Sequence, residues 1–396
     1  MEPERSSAAL RYVAEDELVG YAEGADRLVR ALRGCGVRVE YRGMFLGGAG
    51  QACSLRPHGR DPFPDHRAGP GAPTIVRMVP PRLPQVREAI GDGTLIWQTV
   101  WETDRLPRHW VPLLNDVDRV IVPTEWNRAV FEASGVTTPV VVVPHVACDP
   151  VPGDGGSPLD LSADVVVFYT ISQWCQRKQP AADLQAFLEA FTIDDPVALV
   201  IKTAPFAGFR AGEDWASHSP LVGTTMLDVA RIMRSYSRPP LVRVEVTDWT
   251  AERIAGLHTR GDCFVSLSHG EGWHIGAFDA AAYGNPVVMT GWGGQLAYLD
   301  PETSFLVECE LEPVRHDDPS TYSPDQHWAT PRLEHAVALL REVAADIGAA
   351  RSRAAPQRAR VLNDYAGPRV VATLADTCPE LAVAAAEGGD LRDEWS

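Results

Sequence analysis

The chain has 396 residues, of which 45% are hydrophobic and 22% are charged. Apolar side chains in this proportion are ample for packed cores, and the length suggests two domains. The formal net charge of −17 disfavours nucleic acid and anionic membrane surfaces as partners.

Cysteine usage and the lack of long apolar runs indicate a cytoplasmic protein. The seven cysteines are scattered and form no Cys-x-x-Cys pair, which argues for reduced thiols and against a zinc site. Residues Met1 to Ser7 are charged and polar, unlike a secretory signal, and no run approaches the length of a membrane span.

The first half of the chain alternates between apolar strand-like runs and segments of helical period. Strands are predicted at residues 9–13, 37–41, 74–79, 94–100, 119–123 and 139–143. Helices are predicted at residues 22–33, 83–90, 108–115 and 125–133. Asp149 to Ser162 is rich in proline and glycine and is predicted to link two domains.

The same alternation continues in the second half, as is typical of parallel α/β domains. Strands are predicted at residues 164–171, 197–202, 241–247, 263–267, 286–290 and 304–308. Helices are predicted at residues 179–191, 224–235, 250–260, 274–283, 332–346, 351–364 and 367–376. Three stretches look irregular and are predicted to be functional lids or disordered: Gly47 to Pro73, Ala204 to Gly223 and Glu310 to Pro331.

The most informative segment is Ser268-His269-Gly270-Glu271-Gly272-Trp273-His274, between an apolar strand-like run and a short apolar helix. A glycine-containing turn at a helix N-terminus favours an anion, because free backbone N–H groups and the helix dipole point at it. Asp279 lies inside the helix, where a carboxylate needs a reason because an unpaired buried charge is costly. The alternative is that Glu271 caps the loop and Asp279 meets a neighbouring arginine.

The second signal is the scarcity of lysine. The 36 basic residues include two lysines, Lys178 and Lys202, and each follows a predicted strand. Lysine is a compact point charge suited to phosphate oxygens, so both are predicted to bind a phosphate group. The alternative is that they are surface lysines left by an arginine-biased genome.

Glu271 and Asp279, eight positions apart, resemble the Glu-x7-Glu motif of the retaining GT-B glycosyltransferases, in particular the GT4-like group 1 family. The runs Gly284 to Val288 and Val122 to Arg128, and the pair Arg177-Lys178, also match that family. The resemblance covers most of residues 10–376. It implies an α/β protein with the GT-B fold, in which two Rossmann-like, doubly wound domains face a central cleft.

The resemblance also implies the domain organisation. Residues 1–150 would form the N-terminal Rossmann-like acceptor-binding domain, and residues 151–163 the linker. Residues 164–364 would form the C-terminal nucleotide-sugar-binding domain. Residues 365–396 would form a helix that crosses back, followed by an acidic tail.

As a member of this family, the protein would be a retaining glycosyltransferase that takes a sugar from a UDP- or GDP-sugar, without a cofactor or a metal. The resemblance implies that Glu271 contacts the donor sugar and Asp279 the nucleotide ribose. Lys178 is expected on the diphosphate. The remaining donor-binding residues are expected to be Arg177, Lys202, Gly272, Trp273, His274 and Ile275.

The acceptor would be a small molecule or a glycan bound by the first domain. Gly20 and Tyr21 look like the cleft-lining loop of the family. Glu102 and Asp104 follow the strand at 94–100, and either could orient an acceptor hydroxyl or bind a cationic acceptor. With Glu271 and Lys178, Glu102 is therefore predicted to be catalytic. The alternative for Asp104 is the N-cap of a helix over 106–115.

Departures from the family pattern leave two other functions open. Asp279 replaces the usual Glu, Ser172 stands where an arginine is common, and His274 replaces a small residue. His274 is expected to narrow the sugar pocket or to contact phosphate. The alternatives are a nucleotide-sugar-binding protein without transfer activity and a GT-B-shaped nucleotide-sugar epimerase.

Overall fold

The computed structural model describes residues 7–8, 10–15, 20–45, 54–57, 66–69, 71–91, 93–151, 161–205 and 224–381. Two units divide the chain. Unit 1 comprises Met1–Ala147 and Asn363–Ser396, and unit 2 comprises Cys148–Leu362. Residues 152–160 of the predicted linker lie outside the described residues. The acceptor and donor roles given to the two predicted domains stay predictions.

A mostly parallel sheet forms the centre of unit 1. Its described strands, with a short flanking pair, are β1 (Ser7–Ala8), β2 (Leu10–Glu15), β3 (Val39–Phe45), β4 (Ser54–Pro57), β5 (Arg67–Ala68), β6 (Thr74–Arg77), β7 (Leu95–Gln98), β8 (Arg119–Val122) and β9 (Val140–Val142). The seven-stranded sheet has the order β4-β3-β2-β6-β7-β8-β9, with only β3 and β4 antiparallel, and β1 pairs with β5. The strand order reverses between β2 and β6.

The helices of the first part of unit 1 cover this sheet. They are α1 (Gly20–Gly34), α2 (Leu83–Ile90), α3 (Trp110–Leu114) and α4 (Glu125–Ala133). Ala25, Leu28, Val29 and Leu32 recur at helical spacing on α1, and all four are buried against strand side chains such as Tyr12 and Ile75. This apolar stripe fixes which face of α1 meets the sheet.

Unit 2 is built on a fully parallel sheet. Its strands are β10 (Val166–Ile171), β11 (Val197–Lys202), β12 (Leu241–Glu245), β13 (Cys263–Ser266), β14 (Val287–Thr290) and β15 (Phe305–Val307). They lie in the order β12-β11-β10-β13-β14-β15. This is the Rossmann order, in which the first and fourth strands are neighbours and the chain reverses its direction of winding between them.

Helices and strands of unit 2 share one apolar core. The helices are α5 (Pro180–Ala190), α6 (Thr224–Met233), α7 (Ala251–Arg260), α8 (Ile275–Tyr283), α9 (Leu333–Ala345) and α10 (Ile347–Asp364). Phe168, Leu199 and Val265 of the strands are buried with Phe187 of α5 and Leu340 of α9. The alternation of strands and helices predicted from the sequence is confirmed in both units.

The last described helix, α11 (Gly367–Thr377), belongs to unit 1. Val370, Val371 and Leu374 are buried in the same core as the apolar stripe of α1. Just after the helix, Glu380 forms an ion pair of 2.7 Å with Arg119 of β8. Residues distant in sequence therefore complete the unit.

One prediction about irregular structure is wrong. The ends of the stretch from Glu310 to Pro331 form an antiparallel ribbon of β16 (Cys309–Pro313) and β17 (His327–Pro331). The exposed acidic residues of β16 hid a strand that has no apolar face of its own. Within the stretch from Gly47 to Pro73, β4 and β5 are strands, while 47–53 and 58–65 lie outside the described residues. So do 206–223 of the third stretch.

Candidate active site

The carboxyl ends of β10 and β13 lie side by side where the strand order of unit 2 reverses. Ligands of open parallel sheets bind outside such a point, because the two following loops run to opposite faces and leave a crevice. The loops are residues 172–179 and 267–274. They carry Arg177, Lys178 and Glu271, so the fold brings these three predicted site residues together.

Glu271 is the charged centre of this cluster and is only 4% exposed. Its Oε1 atom accepts a hydrogen bond of 3.0 Å from Nζ of Lys178 and lies 3.1 Å from a guanidinium nitrogen of Arg177. Burial alone would raise the pKa of Glu271, but the charges of Lys178 and Arg177 lower it to about 2. The carboxylate is therefore ionised at neutral pH, and two cations face one anion.

Backbone contacts join the loops that carry these charges. The Arg177 guanidinium donates to the carbonyl oxygen of Gly270 at 2.7 Å, and the carbonyl oxygen of Arg177 accepts from the N–H of His269 at 2.8 Å. Gln179 adopts a left-handed conformation with φ of 46°, which turns the chain into α5 immediately after Lys178. The two cations are thus held over Glu271 by the fold.

His274 forms the N-cap of α8 and is 6% exposed. Its φ of 71° is left-handed, a conformation that costs a non-glycine residue energy. Nδ1 accepts a 3.1 Å bond from the N–H of Ala277, so the proton of the neutral ring is on Nε2, 3.2 Å from the Ser266 hydroxyl. Burial lowers the pKa of His274 to about 4, against the opposing charge of Glu271. The imidazole is therefore a neutral cap at neutral pH.

Glycines allow the backbone around Glu271 to approach closely. The N–H of Gly294 donates to the Glu271 carbonyl oxygen at 2.7 Å, and a Cβ on Gly294 would overlap the carbonyl oxygen of Gly272. A Cβ on Gly276 would lie 3.3 Å from the carbonyl oxygen of Ile171, so α8 packs directly on the end of β10. The loop after β14 thus supports the loop after β13.

Three other residues predicted to contact the donor, Trp273, Ile275 and Asp279, differ in how they are buried. Trp273 is buried, with ring contacts of 4.9 Å to Phe278 and 5.1 Å to Tyr298, so its indole belongs to the core. Ile275 opens α8 and is half-buried. Asp279 is buried one turn further along α8 and adds to the rise that burial causes in the pKa of Tyr169. A ribose contact for Asp279 stays a prediction.

The structure does not bring Lys202 into the cluster. Its Nζ donates to the carbonyl oxygen of Thr203 at 3.0 Å. Burial lowers the pKa of Lys202, opposed by the carboxylates of Asp248 and Glu245. Lys202 ends β11, the strand next to β10, and the carboxylates that act on its pKa are Asp248 and Glu245. A donor contact for Lys202 stays a prediction. Sequence position after a strand could not distinguish it from Lys178.

The predicted acceptor residues lie in unit 1. Gly20 begins α1, and the hydroxyl of Tyr21 lies 3.2 Å from that of Thr99, just beyond β7. Burial raises the pKa of Tyr21, and the nearby charge of Glu102 raises it further. Asp104 does not cap a helix, because α3 begins only at Trp110. Catalytic and acceptor roles for Glu102 and Asp104 stay predictions.

Sequence reasoning missed Arg77, the last residue of β6. Its side chain is 4% exposed, and its guanidinium contacts the ring of His145. A lone arginine closing a short apolar run, Thr74-Ile75-Val76, was the available signal. This signal alone does not predict the burial of Arg77, because a strand end does not indicate which residues distant in sequence surround it.

Comparisons with known proteins place this architecture. No family model matches the sequence, and no curated protein matches it significantly. Among solved structures, the sucrose-phosphate synthase of Thermosynechococcus elongatus is 16% identical, with a TM-score of 0.64 over 95% of this chain and 100% of that one. HepE of Anabaena, solved in complex with UDP and glucose, is 13% identical, with a TM-score of 0.63 over 93% and 99%.

TarM of S. aureus is 11% identical and has a TM-score of 0.53, with 77% of this chain and 54% of TarM covered. The chain therefore spans about half the length of TarM. At such low identities the shared property is the fold. The chain has the α/β GT-B fold that the sequence predicted.

The described residues contain neither a membrane-spanning helix nor a metal-binding cluster. None of the described helices is long and apolar enough to cross a membrane. Likewise, the part of the chain that the structure describes contains no cluster of three or more His, Cys, Asp or Glu arranged to hold a metal ion. Independence from metals and a cytoplasmic location stay predictions.

Proposed function

We propose that the protein is a retaining glycosyltransferase that moves a sugar from a UDP- or GDP-sugar to a hydroxyl of a small-molecule or glycan acceptor. The observation that carries the proposal is the ionised Glu271 held by Lys178 and Arg177 at the switch point of unit 2. The GT-B fold supports it, as does the UDP and glucose bound by HepE, a neighbour of the same fold.

The proposed chemistry follows from the charges in the cluster. Glycosyl transfer develops negative charge on the leaving diphosphate, which pre-placed donors stabilise. Lys178 and Arg177 exceed Glu271 by one charge, and the first N–H groups of α8 have no partner within the helix. Nδ1 of His274 accepts from the N–H of Ala277, so the N–H groups of Ile275 and Gly276 would be the ones that bind an anion. Glu271, fixed by two cations, would position sugar hydroxyls rather than attack.

Thermal-shift measurements with UDP, GDP, ADP and dTDP, with and without EDTA, test donor binding first. Stabilisation by one nucleotide regardless of EDTA would support a metal-free donor site, and Glu271→Gln should keep nucleotide binding but lose transfer of the matching sugar. Retention is read from the anomeric configuration of the product. Binding without transfer to any acceptor would favour a binding protein. A new sugar epimer formed from donor alone would favour an epimerase.

A further inference from the structure

Arg77 occupies in unit 1 the place that the candidate donor site occupies in unit 2. It ends β6, opposite Ala14 of β2 and Gln98 of β7, at the point where the strand order reverses. Such a reversal separates the following loops and leaves a crevice at the carboxyl ends of the strands. Arg77 therefore places a buried guanidinium at the end of the sheet where unit 1 would hold a ligand.

The partners of Arg77 are neutral. One guanidinium nitrogen lies 3.2 Å from Nε2 of His145, and the guanidinium carbon lies 5.7 Å from the ring centroid of Tyr21. Burial, Arg77 and Arg27 all lower the pKa of His145 well below its usual range, so the imidazole carries no charge. Burial raises the pKa of Tyr12 to about 12 in spite of Arg77. The uncharged rings of His145 and Tyr12 therefore do not neutralise the guanidinium charge of Arg77.

Two described carboxylates of unit 1 form ion pairs with other arginines, while the charge of Glu102 acts on Tyr21. Glu23 lies 2.8 Å from Arg27, and Glu15 lies 3.6 Å from Arg82. Among the described residues no carboxylate forms an ion pair with Arg77, and its Nε is buried without a hydrogen bond. Burial of a charge without a counter-charge is costly, which makes the site favourable for an anion.

The start of α1 adds positive potential at the same edge of the sheet. A Cβ on Gly24 would collide with the guanidinium of Arg77 and would lie 2.8 Å from the ring of His145, so the helix backbone packs directly on both. α1 begins only four residues earlier, at Gly20, and its first N–H groups carry the positive end of the helix dipole. Two independent sources of positive potential therefore meet at Arg77.

We propose that unit 1 binds an oxyanion, a phosphate or carboxylate group, on the guanidinium of Arg77. The planar fork of arginine offers parallel N–H donors that match such a group. This inference deepens the proposed function and rests on it in one respect, that the anion is carried by the acceptor. The acceptor would then be a phosphorylated or acidic sugar, and not the cationic one that Glu102 and Asp104 suggested.

Titration with inorganic phosphate tests the site itself. The full chain is used as Lys178→Ala, which removes a charge from the second phosphate site expected in unit 2. Adding Arg77→Gln should weaken the remaining phosphate binding roughly ten- to a hundredfold, whereas Arg77→Lys should retain part of it. Equal phosphate affinity with and without Arg77→Gln would overturn the proposal, as would the absence of phosphate binding to the Lys178→Ala protein.

Circular dichroism and thermal unfolding show whether each variant is folded. If Arg77→Gln does not fold, Gly24→Ala serves instead, because its methyl group displaces the guanidinium without removing the arginine. Phosphate binding should again weaken, and unchanged binding in a folded Gly24→Ala protein would count against the site.

Transfer assays separate this proposal from the proposed function. Hexose phosphates, uronic acids and neutral hexoses are compared as acceptors, and Arg77→Gln should raise KM for the charged ones far more than it lowers kcat. Phosphate binding that depends on Arg77 without transfer to any acceptor would keep the anion site and reject the glycosyltransferase. An equal KM of wild type and Arg77→Gln for the charged acceptors would reject the acceptor assignment, whereas neutral hexoses should be used equally by both.

Discussion

Lys178 and Lys202 have different surroundings, and their substitution should separate their roles. Lys178→Ala leaves the buried Glu271 with Arg177 alone, so we expect the free energy of unfolding to fall by roughly 2 kcal/mol. Nucleotide affinity should fall about tenfold or more, because one charge-assisted contact to the diphosphate is lost. Lys202 donates to a neighbouring carbonyl, so Lys202→Ala should keep nucleotide affinity close to wild type. Urea denaturation and nucleotide titration measure both quantities, and equal losses of affinity would contradict the placement.

The low pKa of Glu271 also predicts how acid destabilises the protein. The pKa is about 2 in the folded chain and near 4.5 when unfolded, so the ionised carboxylate stabilises the fold fully above about pH 5. This stability, on the order of 3 kcal/mol at neutral pH, is lost as the pH falls through 4.5 towards 2. We expect the free energies of unfolding of wild type and Glu271→Gln to converge in that range. Denaturation at pH 3 to 7 measures the difference, and a constant difference would show that the ion pairs do not cause it.

At the scale of elements, the loop after β14 supports the loop that carries Glu271. Gly294→Ala would force a methyl group into the carbonyl oxygen of Gly272, so we expect a loss of roughly 2–4 kcal/mol in stability together with weaker nucleotide binding. Gly34→Ala is the matched control, because no atom lies within 4 Å of its Cβ and its φ is ordinary. Thermal unfolding and nucleotide titration compare the two. Equal stability and equal nucleotide affinity of the two variants would mean that the close contact between the loops after β13 and β14 is not needed.

At the scale of the whole molecule, α11 is predicted to be essential to unit 1 and dispensable for unit 2. A chain that ends at Asp364 loses the buried side chains Val370, Val371 and Leu374, worth roughly 4–8 kcal/mol of apolar burial. That is comparable to the whole stability of a typical domain. We expect calorimetry to show the transition of unit 1 lost or lowered, while nucleotide binding by unit 2 persists. Loss of both would mean that the units do not fold independently.

Much of the architecture could be predicted from the sequence, because β2, β6, β7, β8, β10, β11 and β13 are largely buried apolar runs that are each followed by a helix. The exposed strand β16 has no such pattern, and neither do the short β1, β4 and β5. The Arg177, Lys178 and Glu271 cluster was predictable because all three follow neighbouring strands at a switch point. The lack of contact between the Lys202 side chain and this cluster and the burial of Arg77 were not, since both depend on side chains distant in sequence.

The contribution of α11 to unit 1 also sets an order of events during synthesis. All of unit 2 is synthesised before α11, whose side chains Val370, Val371 and Leu374 complete the core of unit 1. Unit 2, which is continuous in sequence, has everything it needs to fold on the nascent chain, whereas the first 147 residues do not. The half that is made first therefore completes its core last, and until then the apolar side chains that α11 buries are a surface for chaperones to hold.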